Sequence, residues 1–435
     1  MFHTIVNAFK IKEVRRKILI TIALIFVYRL GCHIPVPGVR VFEGLQEYTF
    51  LQIMSAISGG ALAYGTFFAM GIGPYINASI IVQLLTVGIP ALERLSKQGE
   101  EGKRKINNIT RVITLLLAVV QAIGIIVAFK GDGVNGAIDT RLIFGEDAKF
   151  LSYAFLVTIY TAGACLTMWI GERITDYGVS NGISLLIFAG ILSSAGTSIL
   201  ALIKGLFIAE TVSKSAWTLI IFFAVAILIF AAIVTVNSAE RKIPVQYAKQ
   251  VKGRKMYGGQ STHIPIKVNA SGVMPLIFSF AILSFPDLII NLLGKSSDNW
   301  WSRNMGTGSW IYMVVLCVFI LFFSYFYNQI QFNPDDISKS IQGNGGFIPG
   351  TRPGKPTADY LRRVSNRITL FGAIFLALVA LVPSLVFKAI DMNGTYGLVN
   401  VFSATGLLII VSVALEFEQA LQSQIMMKNY KGFLK

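Results

Sequence analysis

The stretch SGGALAYGTFFAMGIGPYINASIIVQLLT, residues 58–86, decides how the chain is organised. Its first half holds five glycines within fifteen positions, and each glycine weakens a helix by about 1 kcal/mol relative to alanine. Pro74 follows, and proline breaks or begins a helix because it has no N–H to donate. We therefore predict a short, half-inserted segment that ends at the GIGP motif, residues 71–74, and a full membrane span after it.

Backbone that is not regular helix survives at membrane depth only where protein buries it or where it lines a water-filled cavity. Residues 58–70 therefore predict a chain that encloses a cavity, with this segment inside it. A re-entrant or surface-lying helix that only packs the bundle explains the same residues. The physics alone leaves both interpretations open.

The composition excludes an ordinary soluble protein, because 54% of the 435 residues are hydrophobic and only 14% are charged. The apolar residues form blocks of about 20, the length that a helix needs to cross a bilayer. We therefore expect an all-α, polytopic membrane protein with ten spans. The predicted spans are residues 18–36, 75–88, 112–129, 151–170, 183–203, 217–236, 271–293, 310–327, 368–387 and 396–415.

The charge pattern predicts the orientation of these spans. The net charge is +16, and basic segments alternate with neutral or acidic ones through all ten crossings. Both termini are therefore predicted to face the cytoplasm, with two long basic loops at residues 237–268 and 328–367. The spans divide into an N-terminal half, 1–203, and a C-terminal half, 204–435. An odd number of spans in each half inverts the second half relative to the first, and such halves commonly build a central path.

Several function classes are disfavoured. The cysteines and histidines are scattered singly, so we expect no disulfide, metal or other cofactor. The spans hold no ionisable residue at mid-depth, since Arg29 lies near a span end where its long side chain can reach water. An ion-coupled carrier is therefore disfavoured, and an intramembrane enzyme lacks its paired carboxylates or metal ligands. A ten-helix inverted-repeat solute transporter stays open as the alternative.

The two long basic loops suit a large acidic partner, such as ribosomal RNA or an acidic patch on a motor protein. A basic loop is also the ordinary signal for cytoplasmic orientation, so this interpretation has a simpler rival. The chain contains no ATP-binding motif, so energy for transport has to come from a partner.

Seven motifs occur in order along almost the whole chain. They are HIPVPGV at 33–39, SGGAL at 58–62, GPYINASIIVQLLT at 73–86, EGKRKINNITR at 101–111, GERITDYGVSNGISLLIFAGI at 171–191, YAKQVKGRKMYGGQSTHIPIKVN at 247–269 and FIPGTRPGKPTADYL at 347–361. On these residues the chain resembles the SecY family, the channel subunit of the bacterial protein-translocation complex. The resemblance implies a channel in the bacterial plasma (inner) membrane, which moves unfolded secretory polypeptides and releases membrane segments sideways.

The resemblance also implies an hourglass pore that is narrowed by a ring of aliphatic side chains. Such a ring dewets and blocks ions, yet closes around a passing polypeptide. Two pairs of its members have i, i+4 spacing, which places each pair on one helix face. Taken alone, each of these isoleucines is more often a lipid-facing or core residue. By motif position the ring residues are Ile76, Ile80, Ile183, Ile187, Ile277 and Ile409.

Residues 58–68 are implied to form a plug that seals the ring from outside, with glycines that let it detach without leaving costly packing behind. The indicated plug residues are Ser58, Gly59, Gly60, Ala61, Leu62 and Tyr64. A lateral gate between the second and third spans and the seventh and eighth would let apolar helices enter membrane lipids. The gate candidates are Gln83, Thr86, Gln121 and Ser279, whose alternative role is to join helices by hydrogen bonds.

Three residues are implied to dock partners: Arg254, Lys255 and Arg352. Arg352 stands in PGTRPG, where two Pro-Gly pairs predict a stiff turn that presents the guanidinium. The implied partners are SecE, SecG, the SecA motor ATPase, the ribosome and signal-peptide-bearing polypeptides, without direct DNA binding. No motif covers residues 131–149 or 294–308, so we assign these segments no role.

Overall fold

The structure is a computed structural model. It describes residues 2–42, 54–55, 58–129, 138–139, 141–144, 148–208, 212–247, 250–252, 255–257, 261–269, 272–292, 301, 304–305, 309–389 and 404–432.

Each of the ten predicted spans has a helix in the structure. The helices are α1 (Phe2–Lys10), α2 (Lys12–Gly31), α3 (Gly73–Gly88), α4 (Pro90–Ser96), α5 (Glu100–Ala128), α6 (Arg141–Phe144), α7 (Lys149–Tyr177), α8 (Gly182–Ile208), α9 (Val212–Ser238), α10 (Met274–Leu292), α11 (Trp310–Gln331), α12 (Pro334–Gly343), α13 (Lys355–Ala389) and α14 (Ala404–Gly432). The spans are α2, α3, α5, α7, α8, α9, α10, α11, α13 and α14. By their described residues alone, α5, α7, α11 and α13 are long and apolar enough to cross a membrane, and the pair α3 and α4, bent by 106°, is a fifth candidate.

Three helices extend well beyond their apolar blocks. Helix α5 begins at Glu100 rather than residue 112, α13 begins at Lys355 rather than residue 368, and α14 ends at Gly432 rather than residue 415. Glutamate, lysine and arginine are good helix formers, so the helical hydrogen bonding of the backbone continues through these polar residues. Hydropathy marks the part of a helix that lies in lipid, and it therefore underestimates the length of these helices.

The two long basic loops contain a small sheet that the sequence does not predict. Its strands are β1 (Glu240–Tyr247), β4 (Ser261–Lys267) and β5 (Gly346–Phe347), and β2 (Gln250–Lys252) and β3 (Lys255–Tyr257) form a separate hairpin. The order is β4-β1-β5 with antiparallel pairing, Glu240 opposite Lys267 and Gln246 opposite Phe347. The sheet covers an apolar cluster made of Ile243, Val245, Ile266, Ile341, Ile348, Leu361 and Val364. The two loops therefore fold together as one body.

The chain divides into two compact units. Unit one comprises Met1–Ala216, Ala281–Ser309 and Met392–Lys435, and unit two comprises Trp217–Phe280 and Trp310–Asp391. In unit one, α5 packs against α3 and α7, and α14 packs against α8 and α1. In unit two, α11 packs along α13. The division into halves at residues 203 and 204 stays a prediction.

Candidate functional site

The residues before Pro74 form an irregular segment, as the sequence predicts. Residues 59–72 follow turns, with one isolated bridge residue at Thr66. Helix α3 begins at Gly73, and Pro74 lies in its first turn, where a missing N–H removes no helical hydrogen bond. The predicted break at the GIGP motif is therefore confirmed.

The irregular segment is hydrogen-bonded to the chain that follows α2. The Phe67 N–H donates to the Ile34 carbonyl oxygen at 2.9 Å, and the Val36 N–H donates to the Gly65 carbonyl oxygen at 3.1 Å. These bonds satisfy backbone groups that a bilayer would leave unpaired. The segment is thus held as a defined structure and not as a loose loop.

The predicted plug residues differ in exposure. Leu62 is fully buried, and Ser58 and Ala61 are each 1% exposed, whereas Tyr64 is 63% exposed. Burying one leucine side chain stabilises a structure by about 1.5–3 kcal/mol. The first half of this segment is therefore more buried than its glycine content indicates, and the expectation that it detaches without leaving costly packing behind stays a prediction.

The expectation that the Arg29 side chain reaches water is wrong for one guanidinium nitrogen, Nη1. Arg29 Nη2 donates to Ser193 Oγ on α8, and Nη1 is buried. A Cβ built on Gly59 would overlap Nη1, so the guanidinium lies directly beside the irregular segment. Position near a helix end indicates depth in the bilayer, but it does not show which side chains and backbone pack there.

Five of the six predicted ring residues lie in unit one. Ile76, Ile80, Ile187 and Ile409 are buried, and Ile183 is half-buried. The sixth, Ile277, is half-buried on α10 in unit two. The structure thus keeps most of these side chains away from the surface, and their meeting in one ring stays a prediction.

The gate candidates make mostly local hydrogen bonds. Thr86 and Ser279 each donate to a carbonyl oxygen four residues earlier on the same helix, at 2.7 Å. Gln83 Nε2 donates to Ser79 Oγ at 3.2 Å. Gln121 is 2% exposed on α5, and its amide atoms have no hydrogen-bond partner within the described part of the chain. Gln121 is therefore the gate candidate whose amide nitrogen and amide oxygen both lack a hydrogen-bond partner among the described residues.

Two of the three docking residues, Lys255 and Arg352, lie in the described part of unit two. Arg352 is exposed, and its carbonyl oxygen accepts a hydrogen bond from Thr357 Oγ1 at 2.7 Å. This bond holds the turn locally, and the stiffness that the flanking Pro-Gly pairs predict stays a prediction. Lys255 is the first residue of β3, and Arg254 lies outside the described residues.

A bidentate ion pair joins α5 to α7, and the sequence does not predict it. Arg111 on α5 and Glu172 on α7 form a bidentate pair, with Nε to Oε1 and Nη2 to Oε2 both at 2.8 Å. The carboxylate accepts both hydrogen bonds from the guanidinium, and charge-assisted pairs of this bidentate kind are among the stronger hydrogen bonds in proteins. Both residues belong to conspicuous motifs, but no local signal pairs residues 61 positions apart.

The ten span helices, with an irregular and largely buried segment directly before α3, define a multi-span α-helical membrane protein. The SecY family model matches residues 66–418. Protein translocase subunit SecY of Corynebacterium glutamicum is 41% identical over 99% of both chains, and that of Streptomyces galbus is 40% identical over 100% of both. The chain therefore belongs to the SecY family, and the predicted resemblance is confirmed.

Solved structures share the fold. A protein-conducting channel has a TM-score of 0.66 at 21% identity, covering 94% of this chain and 92% of its own. A SecY protein with a plug domain that stabilises the closed translocation channel has a TM-score of 0.64 at 20% identity, with the same coverage. Sec61 in the canine ribosome-channel complex has a TM-score of 0.61 at 18% identity, over 94% and 92% of the two chains. The ten-helix channel fold with a plug is confirmed, and the solute-transporter alternative is not supported.

Proposed function

We propose that this chain is the central protein-conducting channel of a Sec translocon in the bacterial plasma membrane. One observation carries the proposal: in a chain of the SecY family, residues 59–72 form an irregular, largely buried segment directly before a membrane helix. Irregular backbone at this depth requires enclosure by protein or a cavity. A pore that is sealed by this segment at rest accounts for both requirements, and unfolded secretory polypeptides pass when residues 58–68 move aside.

The pore constriction is proposed to consist of the six ring isoleucines. The burial of Ile76, Ile80, Ile187 and Ile409 supports this role, since pore-lining side chains of a closed channel are shielded from solvent. An aliphatic ring offers no charge or hydrogen bond to a substrate. It can therefore surround chains of any sequence while it excludes ions.

Apolar segments are proposed to leave sideways into lipid through a gate lined by Gln83, Thr86, Gln121 and Ser279. Hydrophobic transfer would select the segments that leave, because an apolar helix is more stable in lipid than in a hydrated pore. The unused amide atoms of buried Gln121 support a role for polar contacts at such a seam.

Partners are proposed to supply the energy, and the chain itself is proposed to have no catalytic role. SecE and SecG would complete the channel, and the SecA motor ATPase or a ribosome would dock on cytoplasmic loops that carry Arg254, Lys255 and Arg352. The exposed Arg352 turn and the solved complex of Sec61 with a ribosome support this docking. Both termini would face the cytoplasm, as the alternation of basic segments predicts.

A reconstituted transport assay tests the function. Vesicles that contain the complex of this chain with SecE and SecG receive SecA, ATP and a secretory precursor, and protease added outside then degrades any precursor that has not entered. We expect protected full-length precursor, and no protection when the precursor is first locked in a folded state. Uptake of small solutes without any protected precursor would contradict the proposal.

A further inference from the structure

The guanidinium of Arg29 lies between α8 and the proposed plug, and its Nη1 atom is buried there. On one side Nη2 donates to Ser193 Oγ of α8. On the other side lies Gly59, where an added Cβ would overlap Nη1 and approach the Gly190 carbonyl oxygen at 2.9 Å. Gly59 also has φ +71°, so both its conformation and its surroundings require glycine. The plug backbone therefore closes directly over a cationic group.

This closure leaves a charged donor without an acceptor. Arg29 Nη1 is buried, and it makes no hydrogen bond to any residue that the structure describes. No carboxylate in the described ranges forms an ion pair with this arginine. Burying a donor that has no acceptor is unfavourable, and more so when the donor is charged. The closed arrangement therefore contains one local contact that opposes it.

Other contacts hold the plug in place. Leu62 is fully buried and Ala61 is 1% exposed, and the segment shares backbone hydrogen bonds with residues 34–42. The Arg29 side chain contributes no hydrogen bond to residues 58–68 in the described structure. The closed state thus gains little from the guanidinium, while Nη1 loses the water that it would bind if the plug moved away.

We propose that Arg29 is a positioning residue that destabilises the closed plug and so makes its release easier. The proposal rests on the proposed function of residues 58–68 as a plug. It also accounts for how a segment with buried side chains can leave its site: the burial of Leu62 favours closure, and rehydration of Arg29 favours opening.

The test measures how often the plug opens. Ala61→Cys provides a small buried thiol, and a membrane-impermeant maleimide added from the outer side reacts with it only when the plug is displaced. The labelling rate is read by mass spectrometry at position 61 in the intact reconstituted complex. Arg29→Met removes the charge and keeps the apolar stem, Arg29→Gln also keeps a donor for Ser193, and Arg29→Lys keeps the charge. Arg16→Met, on an exposed residue of the same helix, is the matched control.

We expect Arg29→Met and Arg29→Gln to slow labelling by about tenfold, because the closed state no longer buries an unpartnered charged donor. Arg29→Lys and Arg16→Met should leave the rate near that of the parent. Unchanged or faster labelling in Arg29→Gln would overturn the proposal, since the guanidinium would then have no effect or would hold the plug closed. If Arg29→Met yields too little complex, Arg29→Gln decides alone.

A separate variant distinguishes this result from a failure of the plug itself. Deleting residues 59–64 should raise ion leak if the segment seals a pore, whatever Arg29 does. High leak in the deletion together with unchanged labelling in both neutral Arg29 variants would reject the role of Arg29 and keep the plug. Leak that stays at the parental level in the deletion would reject both.

Discussion

The plug segment and the Arg352 turn both depend on glycines with positive φ, but their surroundings differ. Gly59 has φ +71°, and an added Cβ would meet Arg29 and Gly190. Gly350 has φ +83°, and an added Cβ would meet nothing within 4 Å. The first glycine is required by backbone conformation and by packing, and the second by conformation alone. Irregular backbone inside the helical unit is thus held by its neighbours, whereas the exposed turn depends mainly on its own geometry.

The hydrogen bonds of the two regions show the same difference. The plug segment forms backbone hydrogen bonds with residues 34–42, and the bonded residues are between 21 (Phe42 and Ala63) and 33 (Ile34 and Phe67) positions apart in the chain. The Arg352 turn bonds to nearby side chains, with Thr357 Oγ1 to the Arg352 carbonyl oxygen and Ser338 Oγ to the Gly354 carbonyl oxygen, both at 2.7 Å. Changes in the plug should therefore disturb the seal, and changes in the turn should disturb only partner docking.

The largest effect is expected from removing the plug. Deleting residues 59–64 removes the burial of Leu62, worth about 2 kcal/mol, so resting ion leak should rise by at least about tenfold. Leak is measured as the loss of an ion gradient from vesicles that contain the reconstituted complex. The control variant keeps the segment intact and replaces only the exposed Tyr64 by serine. We expect its ion leak to equal that of the parent. Equal leak in deletion and parent would remove the basis for calling this segment a seal.

Replacing each of the two glycines, Gly59 and Gly350, by alanine allows a direct comparison of the two regions. Gly350→Ala should cost about 1–2 kcal/mol, the strain of a left-handed conformation in open space. Gly59→Ala adds overpacking of about 1–3 kcal/mol to the same strain, and should also raise ion leak. Unfolding midpoints and leak are measured for both variants. Similar effects of the two variants on leak would show that the packing around Gly59 is unimportant for the seal.

Reversal of one charge tests the docking role of the turn. Arg352→Glu should weaken binding of the SecA motor by about tenfold at low salt, with no change in thermal stability or leak, because the side chain is exposed. Lys339→Glu on neighbouring α12 makes the same change in net charge and should have a smaller effect. Binding is measured by titration against the reconstituted complex. If both variants lose affinity equally, overall charge and not the Arg352 turn governs docking.

The smallest effect is expected at the Arg111–Glu172 pair, where the side chains are 46% and 17% exposed. Arg111→Lys loses the bidentate geometry and should lower stability by about 0.5–1 kcal/mol, less at high salt. Lys105→Ala, which removes an exposed pair with Glu101, should have almost no effect. Thermal unfolding at low and high salt checks both. A larger loss from Lys105→Ala than from Arg111→Lys would contradict this ranking.

Much of the fold follows from local sequence signals. Apolar length predicts all ten helices, and the glycines and Pro74 predict the irregular segment and the start of α3. The Pro-Gly pairs around Arg352 predict a turn, and the chain turns at residues 349–350 and 353–354. These features could be predicted because each depends on hydropathy or backbone preference over a few residues.

The features that could not be predicted depend on residues far apart in the chain. Strand β1 pairs with β5 about a hundred residues later, and β5 has only two residues, too few for a sequence pattern of its own. The Arg29 guanidinium contacts Ser193 and Gly59, and the partner of Arg111 is Glu172. A single sequence carries no local signal for contacts between residues that are so far apart in the chain.

The central claim is that a polypeptide passes through this chain, and a crosslink at Ile80 tests it most directly. A photo-crosslinking side chain is placed at Ile80, which is 2% exposed on α3, and a secretory precursor is stalled midway by a folded domain at its tail. The control position is Leu116 on α5, whose side chain is 59% exposed. We predict crosslinks from Ile80 along the extended middle of the precursor, and none from Leu116. Crosslinks from neither position, with the precursor stalled as intended, would contradict the account of a pore at this ring.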